Sequence, residues 1–239
     1  SNLEDDTEYS IVMWGYCDGG KTSEISGSFT TLCSSIVVTD NNPFFEGFES
    51  YSHSISFTTL FPCWTYTSVY GYSNITSLPT SSTEVGSMPY EGNNGLRLYS
   101  NNEKVISRVF SLTQGIHEIS LYAVAKVPGA EITIKYRPIA DATDSVLITQ
   151  VVGNSYQPVV AKLDIAQAGD YVISIDINTR PIASGYLAID NLSIRKASVF
   201  LPFNLAVDHV TYSTADVSWS SYNNTNKFRL YDSNNTLIK

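Results

Sequence analysis

Long apolar runs and clustered basic residues are both missing from this 239-residue sequence. No apolar stretch approaches the ~18 residues that a membrane-spanning helix requires, so we expect no membrane insertion. The 14 Lys and Arg against 23 Asp and Glu give a net charge of −9, which argues against a basic groove for nucleic acid. There is also no signal-peptide pattern at Ser1, so any export signal is expected to lie outside these residues.

Catalytic motifs are equally scarce. The chain has 3 histidines, His53, His117 and His209, and none lies beside a nucleophile motif such as G-x-S-x-G or H-E-x-x-H. His117 starts a strand-like segment and is predicted to lie at the surface. The sequence leaves paired carboxylates for glycoside hydrolysis open, but Asp and Glu fall mostly at turns and strand ends, as solvated residues do. We predict that the protein is not an enzyme.

With only 3 cysteines, Cys17, Cys33 and Cys63, one disulfide at most can form. If residues 9–17 and 25–33 form a hairpin, Cys17 and Cys33 lie more than ~20 Å apart, beyond disulfide reach. Cys33 and Cys63 flank the start of the central segment and are the better pair, while three reduced and buried thiols are the alternative. No C-x-x-C pattern supports a zinc site.

β-Strand patterns, by contrast, are abundant. From Gly95 onward, eight segments alternate apolar and polar residues with period two and are separated by Gly, Pro, Asn and Asp turns. No stretch keeps helical periodicity over ~11 residues. The chain is therefore predicted to be all-β, with roughly nine strands in a two-sheet sandwich of jelly-roll size. The eight segments are 95–100, 105–112, 117–126, 130–137, 145–152, 158–165, 170–177 and 186–194.

Segment 40–197 carries an ordered set of short motifs. They are F-T-T-L-C (29–33) just before it, then F-F-E-G-F-E-S (44–50), F-P-C-W-T (61–65), G-L-R-L (95–98) and Y-L-A-I-D-N-L-S-I (186–194). In this order and spacing the segment resembles the cleaved-adhesin jelly-roll domains of Bacteroidota surface proteins, which are related in architecture to MAM domains. It departs from their pattern at Asn191, where the family has a second Asp, and in the long loop before Phe61. The resemblance implies a non-catalytic module that binds proteins, glycans or cell surfaces.

Many domains of this family hold a structural calcium ion, and the resemblance carries that expectation to particular residues. Glu49 matches the Glu of the opening F-E motif, and Asp190 matches the first Asp of the closing pair. The opening and closing strands are expected to be adjacent, which would bring these two carboxylates together. Calcium takes about six to eight oxygen ligands, so Glu46 and Asn93 or Asn94 are weaker candidates for the remainder. The alternative is that these carboxylates bind nothing.

The two ends of the chain resemble complementary halves of a fibronectin type III domain. Residues 3–9, L-E-D-D-T-E-Y, match the tyrosine-corner entry to a late strand, in which the Tyr hydroxyl ties back the preceding turn. Residues 210–219, V-T-Y-S-T-A-D-V-S-W, match an early strand with an inward Trp. The predicted organisation is therefore a late half at 1–38, a jelly roll at 40–197 and an early half at 199–239, as in a surface array of repeated modules.

These halves would each expose an apolar face if left alone. We therefore expect them to pair, within one chain or between chains, and to bury Leu3, Tyr9 and Trp219 together. Two unpaired halves are the alternative.

Aromatic side chains in the irregular region 66–94 are candidates for ligand contact. Tyr66, Tyr70, Tyr72 and Tyr90 either present rings to a sugar or protein partner or anchor their own loops. Trp64 is assigned to the core.

These sequence features are consistent with three functions. The favoured one is an adhesive or spacer module of an extracellular or cell-surface array, which binds a protein or glycan of a host or neighbouring cell and contacts neighbouring domains of its own polypeptide. A carbohydrate-binding accessory module of a secreted hydrolase or peptidase is the second. A receptor-ectodomain fragment is the third, and the F-T-T-L-C to P-C-W spacing disfavours it.

Overall fold

The computed structural model describes residues 3–51, 55–56, 63–67, 74–77, 89–98, 103–126, 129–178 and 186–222, with residues 229, 231, 234, 236 and 237. These residues form strands and turns, so the predicted all-β class is confirmed. Among them no helix could span a membrane.

The strands, in chain order, are β1 (Glu8–Met13), β2 (Tyr16–Cys17), β3 (Gly20–Lys21), β4 (Ile25–Thr30), β5 (Ile36–Val38), β6 (Phe44–Glu46), β7 (Ile55–Ser56), β8 (Thr65–Thr67), β9 (Asn74–Ser77), β10 (Asn94–Leu98), β11 (Glu103–Ile106), β12 (Phe110–Leu112), β13 (Gly115–Ala125), β14 (Ala130–Pro138), β15 (Ser145–Val152), β16 (Gln157–Ile165), β17 (Gly169–Asn178), β18 (Leu187–Lys196), β19 (Phe203–Asp208) and β20 (Asp216–Ser220).

The first sheet of the sandwich has the strand order β16-β13-β18-β10-β9-β7, and all its pairings are antiparallel. Strand β6 also belongs to this sheet, because Phe44 to Glu46 pair with Ile194 to Leu192 of β18. The opening strand β6 and the closing strand β18 are therefore adjacent, as predicted.

The second sheet has the order β15-β14-β17-β11-β8, and β12 joins it between β17 and β5. The sequence predicted one strand over 105–112, but the structure divides it into β11 and β12. Ser107 causes the break: its Oγ accepts a hydrogen bond from Ile173 N at 2.9 Å, and its N donates to Ile173 O at 2.8 Å. Because β5 pairs with β12, residues 36–38 already belong to the sandwich, slightly ahead of the predicted boundary at residue 40.

The core fills the space between the two sheets. Period-two alternation places Ile119 and Leu121 of β13 opposite Ile134 and Ile175 of the second sheet, and all four are buried. Full burial of such a side chain contributes about 1.5–3 kcal/mol to folding. Trp64 packs against this core, as predicted, and Phe44 contacts Phe110 edge-on at 4.8 Å between ring centroids.

His117 is also part of this interior, so the prediction that it lies at the surface was wrong. Its side chain is fully buried. His117 has the same parity along β13 as Ile119 and Leu121, and this parity turns it toward the inside of the sandwich.

The N-terminal hairpin pairs β1 with β4, with Tyr9 opposite Phe29. A hairpin of residues 9–17 and 25–33, as considered from the sequence, would place Cys17 opposite about Ile25, but in the structure Met13 occupies that position. The difference arises because Gly15 and Thr22 hydrogen bond to each other and β2 and β3 form a second small hairpin inside the loop. The predicted tyrosine corner is present, since Glu4 N donates to Tyr9 Oη at 2.8 Å.

The C-terminal hairpin pairs β19 with β20 as another separate two-stranded sheet. A single-chain sandwich, which was one of the two predicted forms, would cover the apolar faces of both hairpins, and in the described residues these faces stay exposed. Leu3 and Trp219 are 53% and 45% exposed, whereas burial of both had been expected.

Each hairpin is attached to a different sheet of the sandwich. Asp5 of the N-terminal segment pairs with Arg108, which lies between β11 and β12 of the second sheet. In the C-terminal segment Leu201 N donates to Glu118 of β13, and Tyr222 Oη donates to Val160 O of β16, both in the first sheet.

Candidate metal and binding site

A break in the pairing along one edge of β18 creates the candidate site. On that edge β10 pairs with β18 up to Ile189, and β6 begins to pair at Leu192. Asp190 and Asn191 lie between these two ladders. Asn191 has a positive φ of 50°, and the register with β13 shifts at the same place, which is the geometry of a β-bulge. The extra residue of the bulge is Asn191, and the fully buried Asp190 lies directly before it.

The loop at residues 89–94 fills this break and holds two carboxylates through its backbone. Tyr90 N and Glu91 N donate to Asp190 Oδ2 at 2.9 and 3.1 Å. Asn93 N and Asn94 N donate to Glu49 Oε1, each at 2.9 Å. The loop therefore links Glu49, three residues past the opening strand, to Asp190 on the closing strand, and these are the two carboxylates that the sequence singled out.

Gly92 makes the close approach of this loop to Glu49 feasible. Its φ is +68°, and a Cβ at this position would lie only 2.6 Å from Glu49 Cδ. A residue with a side chain would therefore suffer both backbone strain and overlap with the carboxylate.

The electrostatics of Asp190 favour an added positive charge. Burial raises the pKa of Asp190 to about 6, although backbone N–H groups of Glu91, Asn191 and Tyr90 act in the opposite direction, and the charge of Glu49 raises it further. Asn94 adds a neutral oxygen to this region, because its Oδ1 is buried and has no hydrogen-bond partner among the described residues. Its Nδ2 donates to Tyr51 O at 3.1 Å, which fixes the amide.

These donors fit a hard cation better than a transition metal. The described residues hold no group of three or more histidine, cysteine or carboxylate side chains arranged for a metal. A cation between Glu49 and Asp190 would therefore complete its shell with amide, backbone and water oxygens, which calcium accepts.

Glu46, a weaker candidate from the sequence, is engaged elsewhere. Its Oε1 accepts from Phe48 N at 2.6 Å, and its Oε2 accepts from Tyr51 Oη at 3.2 Å. Burial raises the pKa of Glu46. Both oxygens thus hold the turn that follows β6, in which Phe48 has a positive φ of 60°.

Tyr90 lies beside the same loop and is part of a cluster of three tyrosines. Its ring stacks on Tyr122 of β13 at 3.6 Å between centroids and 9° between planes, and it meets Tyr156 edge-on at 5.7 Å. Tyr90 remains 43% exposed. The cluster adjoins the carboxylates, because Tyr122 is the cross-strand neighbour of Asp190.

The other three tyrosine candidates do not join this cluster in the described structure. Tyr66 lies on β8 opposite Val105, is half-buried and packs against the core. Tyr70 and Tyr72 fall outside the described residues. Tyr122 and Tyr156 could not be found from the sequence, because the register of β13 against β18 places Tyr122 next to Asp190, and a tertiary ring contact places Tyr156 next to Tyr90.

The structure also joins Cys33 to Cys63 in a disulfide, with 5.6 Å between the Cα atoms. This bond connects the end of the N-terminal hairpin to the residues before β8. Asp6 Oδ2 accepts a further hydrogen bond from Cys63 N at 3.4 Å.

No protein-family model matches the chain, and no curated protein matches it. Among solved structures, the chain is similar to the K1 cleaved-adhesin domain of Lys-gingipain from Porphyromonas gingivalis, with 12% identity and a TM-score of 0.46 over 66% of this chain and 99% of that one. A second match is the CBM22-1 xylan-binding domain of Xyn10C from Paenibacillus barcinonensis, with 14% identity and a TM-score of 0.42 over 65% of this chain and 95% of that one.

A third match is a carbohydrate-binding module solved in complex with β-1,4-galactotriose, with 11% identity and a TM-score of 0.45 over 56% of this chain and 88% of that one. Cleaved-adhesin domains are thus among the structural neighbours of this chain, as the sequence resemblance indicated, and these neighbours also include carbohydrate-binding modules.

Proposed function

We propose that this chain is a non-catalytic extracellular adhesion module that uses Tyr90 and its surroundings to bind a protein or glycan partner. The observation that carries the proposal is the Tyr90 ring, which is 43% exposed although it is stacked on Tyr122 and its backbone is fixed by Asp190. A half-exposed aromatic ring with little conformational freedom loses little entropy when a partner covers it.

A carbohydrate-binding accessory role is the second candidate, and the same ring favours it. The flat face of an aromatic side chain suits the apolar face of a sugar ring as well as it suits an apolar protein side chain. The two functions differ in their ligand, so binding of a purified sugar class at micromolar or tighter affinity would select the second.

The test compares Tyr90→Ala with a matched control, Tyr212→Ala, on a glycan array and against cell surfaces. Tyr212 is fully exposed but lies in the C-terminal hairpin region, away from the loop at 89–94. We expect Tyr90→Ala to lose most binding and Tyr212→Ala to keep it. Equal binding by both variants would remove Tyr90 from the site.

We further propose that calcium binds between Glu49 and Asp190 with help from Asn94. When bound, the cation supplies the positive charge that two neighbouring carboxylates require, and it stabilises the loop that carries Tyr90. If calcium is present at 100 times its dissociation constant, EDTA should remove about 2.7 kcal/mol of stability. For a protein of this size this corresponds to a fall in melting temperature of roughly 5–11 °C.

A pair of variants separates site binding from a general salt effect. Glu49→Gln should abolish the response of the melting temperature to EDTA, whereas Asp164→Asn, which changes an exposed carboxylate on β16, should keep it. An unchanged EDTA response in Glu49→Gln would exclude Glu49 as a ligand.

The extracellular location and the multidomain context are part of the same proposal. The Cys33–Cys63 disulfide supports an oxidising compartment. The sandwich, flanked by two small amphipathic hairpins, supports the predicted division at about residues 40 and 197.

A further inference from the structure

The N-terminal hairpin has one apolar face and one polar face. Its register places Tyr9 beside Phe29, Ile11 beside Gly27 and Met13 beside Ile25 on one face. The other face carries Glu8 and Thr30, Ser10 and Ser28, and Val12 and Ser26. The apolar face is open to solvent, since Met13 is 65% and Ile25 75% exposed. Alternation of this kind is typical of a sheet that covers a second sheet.

The C-terminal hairpin repeats this arrangement. Val207 pairs with Val217 on one face, which alternation along β20 extends to Trp219, while Asp208 pairs with Asp216 on the other face. Leu205 lies where the register of β19 shifts, opposite this end of β20. Leu205 is 70% and Val207 53% exposed. A two-stranded sheet is marginally stable by itself, so each hairpin gains stability if its apolar face is covered.

Charge disfavours contact between two N-terminal hairpins and allows contact between an N-terminal and a C-terminal one. Residues 3–34 contain six carboxylates and one lysine, whereas residues 199–239 contain three carboxylates and three Lys or Arg. Two N-terminal hairpins brought face to face would repel each other, while an N-terminal hairpin beside a C-terminal one would not.

We propose that the apolar face of the N-terminal hairpin of one chain docks on the apolar face of the C-terminal hairpin of a second copy. The two hairpins of a single chain are attached to opposite sheets of the sandwich, through Arg108 in one case and through Glu118 and Val160 in the other. Because the two docking faces are different surfaces, the contact is head-to-tail, and it generates chains of molecules or closed rings. This contact between hairpins is independent of the binding site at Tyr90.

Light scattering on the full chain tests the proposal through two single variants. Met13→Glu places a charge on the N-terminal apolar face, and Val207→Glu places one on the C-terminal apolar face. We expect the unmodified chain to grow in mass with concentration and each variant alone to remain a monomer. A mixture of the two should form dimers and nothing larger, because one intact face is left on each molecule.

Matched controls add the same charge to the polar faces. Ser28→Glu and Ser218→Glu should associate like the unmodified chain. Circular dichroism and melting of every variant verify that the sandwich is folded. A strictly monomeric unmodified chain would overturn the proposal, as would association of Met13→Glu alone or a mixture that stays monomeric. A strictly monomeric unmodified chain is also the result expected if another polypeptide segment covers the two apolar faces.

Discussion

At the scale of single residues, His117 is a buried base inside an apolar sandwich. Burial lowers the pKa of His117 below the ordinary value of 6.5, and the nearby Lys196 acts in the same direction. Its Nδ1 lies 3.3 Å from Gly115 O, and its Nε2 has no hydrogen-bond partner among the described residues. The folded state therefore favours the neutral imidazole.

This environment predicts a pH dependence with a definite sign. Between pH 6.5 and the lower folded pKa, the unfolded chain binds a proton that the folded chain does not. Stability is therefore lost as the pH falls below 6.5, by up to ~1.4 kcal/mol per pH unit. The free energy of unfolding in urea should fall between about pH 7.5 and about pH 5.5, and it should fall less in His117→Gln than in the unmodified chain. The same substitution at exposed His209 should leave the loss unchanged; equal losses in all three proteins would contradict this account.

Gly92 supplies a second prediction at the residue scale. In Gly92→Ala the left-handed backbone alone costs about 1–2 kcal/mol, and the added methyl group overlaps the Glu49 carboxylate. We expect the melting temperature to fall by at least several degrees, at ~2–4 °C per kcal/mol, and the response to calcium to weaken. Gly19→Ala is the control, because a Cβ there meets nothing within 4 Å. A melting curve of Gly92→Ala that matches this control would show that the loop lies elsewhere in solution.

At the scale of elements, several contacts attach the N-terminal hairpin to the sandwich. They include the Cys33–Cys63 disulfide, the Asp6 hydrogen bond to Cys63 N, and Asp5. Asp5 Oδ2 accepts hydrogen bonds from Ser34 Oγ and Ser34 N and from the Arg108 guanidinium at 2.7 Å. These contacts lower the pKa of Asp5, with the Ser34 hydrogen bonds as the largest cause.

Reduction of the disulfide should destabilise the chain and release this hairpin. A crosslink between residues 30 positions apart lowers the conformational entropy of the unfolded chain. This stabilises the folded state by roughly 3–4 kcal/mol. We expect Cys63→Ser to lower the melting temperature and to make residues 3–34 sensitive to protease under conditions in which the sandwich resists it. Cys17→Ser is the matched control and should behave like the unmodified chain. A protease pattern unaffected by Cys63→Ser would show that Asp5 and Arg108 hold the hairpin without the disulfide.

At the scale of the whole molecule, the described structure is one sandwich with an N-terminal hairpin attached to its second sheet and a C-terminal hairpin attached to its first. The long strands β13, β17 and β18 each pair on both edges within the sandwich. Strands β1, β4, β19 and β20 pair on one edge within their hairpins. Resistance to local unfolding should follow this division.

Hydrogen exchange of backbone amides directly measures this difference in local stability between the sandwich and the hairpins. We expect amides of β13, β17 and β18 to exchange at rates close to global unfolding and amides of the two hairpins to exchange much faster in dilute solution. Protection of both hairpins should rise together with protein concentration if they dock between copies. Slow exchange of the hairpins that does not depend on concentration would mean that the sandwich and hairpins unfold as one unit.

Much of this molecule was predictable from sequence because alternation along a strand is local information. The segments at 130–137, 145–152, 158–165 and 170–177 correspond closely to β14 to β17. The tyrosine corner at Tyr9 was predictable for a similar reason, since its partner Glu4 is only five residues away. Errors occurred where the deciding contact is distant in sequence, as with Ser107, which meets Ile173 and divides a predicted strand.

The sequence by itself thus determined the all-β class, most strands, and the amphipathic character of the hairpins. It also indicated Glu49 and Asp190 through a resemblance. Only the tertiary structure decided that Tyr122 lies beside Asp190, that the loop at 89–94 holds both carboxylates, and that the two hairpins attach to opposite sheets. The physical reason is that period two fixes which way a side chain points, whereas strand register and neighbours depend on packing between segments far apart in the chain.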